Sequence, residues 1–169
     1  ETGSTILVTG CAGFIGSNFV KQFKQEFPKT KIVGIDDFST GRKEVIEALR
    51  QAQGIKNFIF YKGSILDEKL LKRIFSKHRP KYVFHFAALP RVSYSLEHPY
   101  KTTLVNVTGT VALLEAAKNY GVKRLIFSSS SSVYGGARKM PTKESENSPN
   151  PKSPYALQKY ACEPFCKMF

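Results

Sequence analysis

Cysteine is scarce in this chain of 169 residues: Cys11, Cys162 and Cys166 are the only three. An odd, sparse set excludes a disulfide framework and fits a reducing compartment, so the expected location is the cytoplasm. Cys162 and Cys166 share one helical face. The three histidines, His78, His85 and His98, lie far from them in sequence, so no metal site is expected and the thiols read as packed side chains. No apolar run approaches the ~20 residues a membrane span needs, and no charged-then-apolar leader with a cleavage site is present. Internal repeats and low-complexity tracts are also missing. Acidic residues are few, 13 against 26 basic ones, which leaves a formal charge of +13. The excess invites a nucleic-acid partner. Yet the lysines are scattered, with no consecutive basic tract and no nucleic-acid motif. They read as a solvated surface whose field attracts anionic small molecules, so neither nucleic acid nor membrane is expected as a partner.

What remains is an ordinary globular composition, 41% hydrophobic and 23% charged, long enough for one domain with a sizeable core. Short apolar runs alternate with amphipathic stretches. Strands are expected at 5–10, 31–36, 58–61, 82–86 and 124–127. Helices are expected at 14–26, 42–53 and 67–77, with Asp67 as an N-cap, then as one long helix over 99–120 stopped by Gly121, and again from Tyr155 onward. Residues 135–154 read as loop. This alternation predicts an α/β fold, a doubly wound parallel sheet of Rossmann-like type, with ligands beyond the carboxyl ends of the strands.

The first strand runs into Gly10-Cys11-Ala12-Gly13-Phe14-Ile15-Gly16. Gly10 permits a sharp turn, Gly13 lets a pyrophosphate approach the backbone, and Gly16 lets the following helix pack close to the strand. The N-terminus of that helix offers unpaired N–H groups to phosphate. Asp36 ends the second strand, 20 residues after Gly16, where a carboxylate can bond the adenosine ribose and repel a 2′-phosphate. That favours NAD. Asp37 can share the role, Arg42 and Lys43 keep NADP open, and a turn-forming aspartate is the structural alternative. Tyr155 and Lys159, four apart, share a helical face, and a nearby ammonium favours the phenolate needed for proton transfer. The run Ser128–Ser132 follows a strand directly and offers hydroxyls there, or satisfies its own backbone. His85 reads as a core residue. Arg91 reads equally as a phosphate contact and as surface. Asn106-Val107-Thr108 matches a glycosylation acceptor, dismissed because it falls on a helix.

Together these segments resemble the extended short-chain dehydrogenase/reductase superfamily, and within it the nucleotide-sugar epimerases and dehydratases. The resemblance rests on Thr9-Gly10-x-x-Gly13-Phe14-Ile15-Gly16, Asp36-Asp37-Phe38-Ser39-Thr40-Gly41, His85-Phe86-Ala87-Ala88, Asn106-Val107-x-Gly109-Thr110, the serine run through Val133-Tyr134-Gly135, and Ser153-Pro154-Tyr155-x-x-x-Lys159. It implies NAD as cofactor. Phe14 and Ile15 are then at the pyrophosphate, Asp36, Asp37, Phe38, Ser39 and Gly41 around the adenosine ribose, Ser64 and Ile65 at the adenine, and Phe86, Ala87, Ala88 and Leu89 along the cofactor's middle. Ser130 would contact the sugar O4, Tyr155 would be the base, and Lys159 would bind the nicotinamide ribose. The implied activity is 4-epimerisation of a nucleotide sugar, a UDP-sugar such as UDP-glucose, through a transient 4-keto sugar. A dehydratase would carry Asp and Glu where Ser131 and Ser132 stand, and those hydroxyls are poor acids and bases near neutral pH. A reductase or dehydrogenase, or a non-enzymatic NAD-binding protein, remains the alternative.

The chain departs from the resemblance at Ser64, where an aspartate is usual, and at Pro164 inside the last helix. Relatives also continue for about as many residues again. Residues 1–169 are therefore expected to be the NAD-binding portion, without the C-terminal substrate domain, of a longer enzyme that dimerises. This portion is expected to bind NAD but to turn over little sugar nucleotide.

Overall fold

The computed structural model describes residues 3–52, 55–136 and 141–169. Residue 53 of the expected second helix and residues 137–140 of the expected loop lie outside this description. The chain resolves into two compact units, Glu1–Ala87 with Ala112–Ser128, and Ala88–Val111 with Ser129–Phe169.

The first unit holds five strands: β1 (Thr5–Thr9), β2 (Lys31–Asp36), β3 (Phe58–Lys62), β4 (Tyr82–His85) and β5 (Arg124–Phe127). All neighbours pair in parallel, in the order β3-β2-β1-β4-β5. This is the doubly wound sheet that the strand–helix alternation predicts. β1 and β2 are buried on both faces, which is why they read as continuous apolar runs. On one side α1 (Phe14–Glu26) and α2 (Lys43–Gln51) cover Ile6, Val8 and Ile32 with Val20, Ile46 and Leu49. On the other, α3 (Glu68–His78) packs Leu71, Ile74 and Phe75 against Leu7, Val33 and Val83. Asp67 caps α3 as expected, its carboxylate accepting from Leu70 N at 2.9 Å.

In the second unit, α4 (Val92–Glu97) is a helix the sequence did not announce. The single helix expected over 99–120 is three segments: α5 (Pro99–Thr103), a π-helical turn at Leu104–Thr108, and α6 (Gly109–Asn119), which continues into the first unit. Hydrophobic spacing cannot register one extra residue in a turn, so the π segment was invisible to periodicity. The expected loop contains 3₁₀ turns at Glu144–Glu146 and, just before it, Ser131–Tyr134. The last helix, α7 (Pro154–Met168), starts from Ser153, whose hydroxyl accepts from Ala156 N at 3.1 Å, with Pro154 in the first turn. It continues through Pro164.

Candidate functional site

In the first unit the glycine turn is built as its spacing predicts. Gly10 has φ +70°, and a Cβ there would meet Ala87 N at 2.7 Å. Gly16 packs so tightly on the turn that a Cβ would strike Gly10 O and lie 2.9 Å from Cys11 Cα. Gly13 begins α1 with no side-chain cap, and no acidic residue occupies the first turn. The leading N–H groups of that helix therefore carry partial positive charge with no acidic side chain of the helix's own first turn to meet it. Phe14 and Ile15 beside them are 85% and 58% exposed, apolar surface that a ligand would cover.

Asp36 sits at the end of β2 and is almost fully buried. Its Oδ2 accepts from Ala12 N at 2.9 Å and its Oδ1 from Phe38 N at 2.8 Å. The carboxylate thus fastens the glycine turn to the β2 end. Burial raises its pKa, and the Phe38 and Ala12 N–H groups oppose that rise. Each oxygen keeps a second lone pair for a ribose hydroxyl, so the ribose and the turn-forming readings are compatible. Phe38 adopts φ +63°, a conformation uncommon for a side-chain-bearing residue, held by this bond. Asp37 is exposed and accepts from Ser39 N at 2.8 Å. Gly41 presses on Ala12, where a Cβ would come within 2.7 Å of its methyl carbon. Ser64 Oγ accepts from Leu66 N at 3.3 Å, and neighbouring Gly63 N donates to Asp36 O at 3.0 Å. Ile65 is buried. Phe86 N and Ala87 N both donate to Thr9 Oγ1, at 3.2 and 3.1 Å. Thr9 Oγ1 also meets His85 Nδ1 at 2.7 Å. His85 is buried in this contact, as a core residue would be.

The structure thus gathers Gly10, Gly13, Phe14, Ile15, Gly16, Asp36, Gly41, Phe86 and Ala87 around one turn. Thr9, which ties the β4 exit to the turn, had no role in the sequence reading beyond its place before Gly10.

The second unit carries the remaining candidates. Tyr155 and Lys159 lie one turn apart on α7, 8% and 4% exposed. Tyr155 N donates to the buried Ser95 Oγ at 3.1 Å. Burial lowers the Lys159 pKa from 10.5 to about 8, and the nearby Cys162 and Cys166 thiols act against that fall. Burial in turn raises Cys162, and pushes Cys166 up to about 11. α7 packs against the turn Ser131–Tyr134. Ser130 caps this turn by accepting from Ser132 N at 3.2 Å, which leaves its hydroxyl proton to donate elsewhere. Ser129 Oγ donates to Glu163 Oε1 at 2.5 Å, a second tie between the serine run and α7.

Ala88 and Leu89 belong to this unit, and Leu89 is held by Asn106, a residue of the segment Asn106-Val107-x-Gly109-Thr110 to which the sequence assigns no site role. Asn106 is buried in the π-helical turn; its Oδ1 accepts from Leu89 N at 2.8 Å, and its Nδ2 donates to Leu89 O and to Gln158 Oε1. Gln158 Nε2 then reaches Thr102 and Thr103 Oγ1. An amide so enclosed is no acceptor for a glycan in the folded chain. Nothing in the residue type of Gln158 signals this network. Arg91 is exposed and precedes α4. Among the described residues no group of three or more histidine, cysteine, aspartate or glutamate side chains could hold a metal ion. No helix among them is long and apolar enough to cross a membrane.

The family profile of GDP-mannose 4,6 dehydratase matches residues 7–169. The UDP-glucose 4-epimerase of Mycolicibacterium smegmatis is 41% identical over 165 residues, 96% of this chain and 50% of that protein. The crystal structure of UDP-glucose 4-epimerase from Thermotoga maritima with UDP-glucose superposes with TM-score 0.85 at 40% identity, over 97% of this chain and 50% of that one. UDP-glucose-4-epimerase from Stenotrophomonas maltophila, with bound NAD and formylated UDP-arabinopyranose, gives TM-score 0.89 at 31% identity, over 98% and 48%. The chain spans about half the length of the curated relatives it matches.

Proposed function

Because this chain belongs to the GDP-mannose 4,6 dehydratase family of extended short-chain dehydrogenases/reductases, we propose that residues 1–169 are the NAD-binding portion of a nucleotide-sugar 4-epimerase acting on UDP-sugars. The observation that carries the proposal is the buried Tyr155–Lys159 pair on α7, packed against the turn that Ser130 caps.

The first unit fits a dinucleotide. The uncapped first turn of α1 receives the pyrophosphate, and Asp36 with the turn through Gly41 receives the adenosine ribose, Ser64 and Ile65 lying toward the adenine. Bound NAD supplies a hydride acceptor that becomes the donor on return. Tyr155 takes the proton from the sugar 4-hydroxyl and gives one back after the 4-keto sugar has turned over. Ser130 donates to the sugar O4, and the Lys159 ammonium bonds the nicotinamide ribose. Ser131 and Ser132 lack the carboxylates that loss of water from the sugar would require, which favours epimerisation over dehydration within this family. The UDP-sugar 4-epimerase relatives and their NAD- and UDP-sugar-bound structures support the same choice. The reading extends to a cytoplasmic enzyme, homodimeric as the whole protein.

The test is detection of NAD retained through purification, with product analysis on UDP-glucose and UDP-N-acetylglucosamine. The 169-residue chain is expected to retain NAD and to form little product. In the whole protein, Tyr155→Phe should keep NAD and lower epimerisation by at least about 100-fold. Net NADH consumption, or full function in Tyr155→Phe, would overturn the assignment.

A further inference from the structure

The lysines that look scattered along the sequence converge on one end of the first unit. In a parallel sheet every helix-to-strand connection lies at the amino ends of the strands. The register aligns Lys31 with Thr5, and Tyr82 with both Ile6 and Arg124. Lys29 and Lys31 enter β2, and Lys56 enters β3. Lys77, Arg79 and Lys81 enter β4. Lys118, Lys123 and Arg124 enter β5, where Lys123 N donates to Lys81 O at 2.9 Å. From the last helical turn to the first strand residue, Glu26 is the one carboxylate among the described residues of these four connections. The carboxyl ends of the same strands are balanced by contrast: Asp36, Asp37, Glu44, Asp67 and Glu68 accompany Arg42, Lys43, Lys62 and Lys69.

Basic residues in a last helical turn complement the helix dipole, which accounts for Lys77 and Lys118. That effect fades beyond the terminal turn. It does not account for Lys29, Lys31, Lys56 and Arg124, like charges gathered at the same end of the unit. The patch extends in two dimensions. Along the sheet it crosses five strands, roughly 19 Å, and across the sheet it takes in the ends of helices on both faces. Phe27, the residue that closes α1 two positions before Lys29, is 50% exposed, its ring 4.8 Å from that of Phe23 between centroids.

We propose that this amino-end face docks on an anionic lipid surface, the basic side chains meeting headgroup phosphates and Phe27 entering the headgroup layer. A linear polyanion would be matched by a basic groove or stripe. A broad basic face with one apolar tip matches a planar charged surface. The proposal does not depend on the epimerase assignment, because the nucleotide-binding turn lies at the opposite ends of the strands.

The test is co-sedimentation of the chain with phosphatidylcholine vesicles with and without phosphatidylserine, at low and high salt. Binding is expected only with phosphatidylserine and only at low salt. The combined variant Lys29→Glu, Lys56→Glu, Lys77→Glu, Arg124→Glu should weaken it by at least about 100-fold, and Phe27→Ser by about 10-fold. Reversing four exposed lysines elsewhere in the unit, Lys21, Lys62, Lys69 and Lys72, should weaken it far less. Replacing the same four pole residues by Gln gives a set that relieves repulsion, and it should also lose binding, so the result stands if the Glu set misfolds. No vesicle binding at low salt, equal losses in the two sets of reversals, or binding to a single-stranded oligonucleotide in preference to the vesicles would overturn the proposal.

Discussion

Lys159 shows what a candidate functional residue costs its fold. Burial holds its ammonium at a pKa of about 8 against the usual 10.5. Between those values the unfolded chain carries the extra proton, so stability rises with pH across this window, and the penalty is fully present below about pH 8. Lys159→Met is therefore expected to be more stable at pH 7, by on the order of 2–3 kcal/mol, and to lack the alkaline rise. Thermal unfolding of both chains between pH 7 and 10.5 measures the difference. A side chain retained at such a cost is a candidate for chemistry. Candidates of this kind are visible in the sequence because their spacing is the signal: Gly10, Gly13, Gly16, Asp36, Tyr155 and Lys159 stand out by interval and position. Thr9, Asn106 and Gln158 act through hydrogen bonds across as many as 78 positions, and no local pattern encodes such a bond. Asn106 was even misdirecting, since its flanking residues spell a modification signal that burial makes irrelevant.

At the scale of elements, strands were read almost to the residue, because β1, β2, β4 and β5 are short apolar runs closed by glycine, proline or a change of polarity. Helices were read where they carry one stripe and a cap, as α1 and α3 do. The reading failed at 92–120: α4 has no counterpart in it, and α5, the π-helical turn and α6 replace the one helix expected over 99–120. The extra residue in that turn carries Asn106 to Leu89 and Gln158, so the deviation and the missed network are one feature. Two substitutions separate element from site. Gly16→Ala should abolish stable packing of α1 on the glycine turn, with loss of NAD binding and of several kcal/mol of stability, because its Cβ would meet backbone atoms. Gly13→Ala meets only Gly10 O at 3.3 Å, one tight contact that a small shift relieves, so it should lower the unfolding midpoint far less than Gly16→Ala while still weakening NAD. Calorimetry and an NAD titration on each variant resolve the two. In α7, Pro164 is exposed and deprives the helix of one N–H. Pro164→Ala should stabilise the chain by about 1–3 kcal/mol, read as a higher midpoint in thermal unfolding.

At the scale of the whole molecule, the net charge of +13 is a property that composition states and topology distributes. Sequence order hides the distribution because each helix-to-strand connection contributes only one to three of these basic residues. Parallel winding then sends all four connections to the same end of the sheet. Like charges gathered there repel over a distance set by the ionic strength, with a Debye length of about 30 Å at 0.01 M and about 8 Å at 0.15 M. Screening therefore relieves the folded state more than the expanded unfolded one, and the midpoint of thermal unfolding should rise with salt over this range. Lys29→Gln, Lys56→Gln, Lys77→Gln and Arg124→Gln combined should raise the low-salt midpoint and flatten its salt dependence. Equivalent replacements of Lys21, Lys62, Lys69 and Lys72, which stand apart from that end, should move it less. If the two sets shift the midpoint equally, the repulsion belongs to total charge, and its placement at one end of the sheet has no bearing on stability.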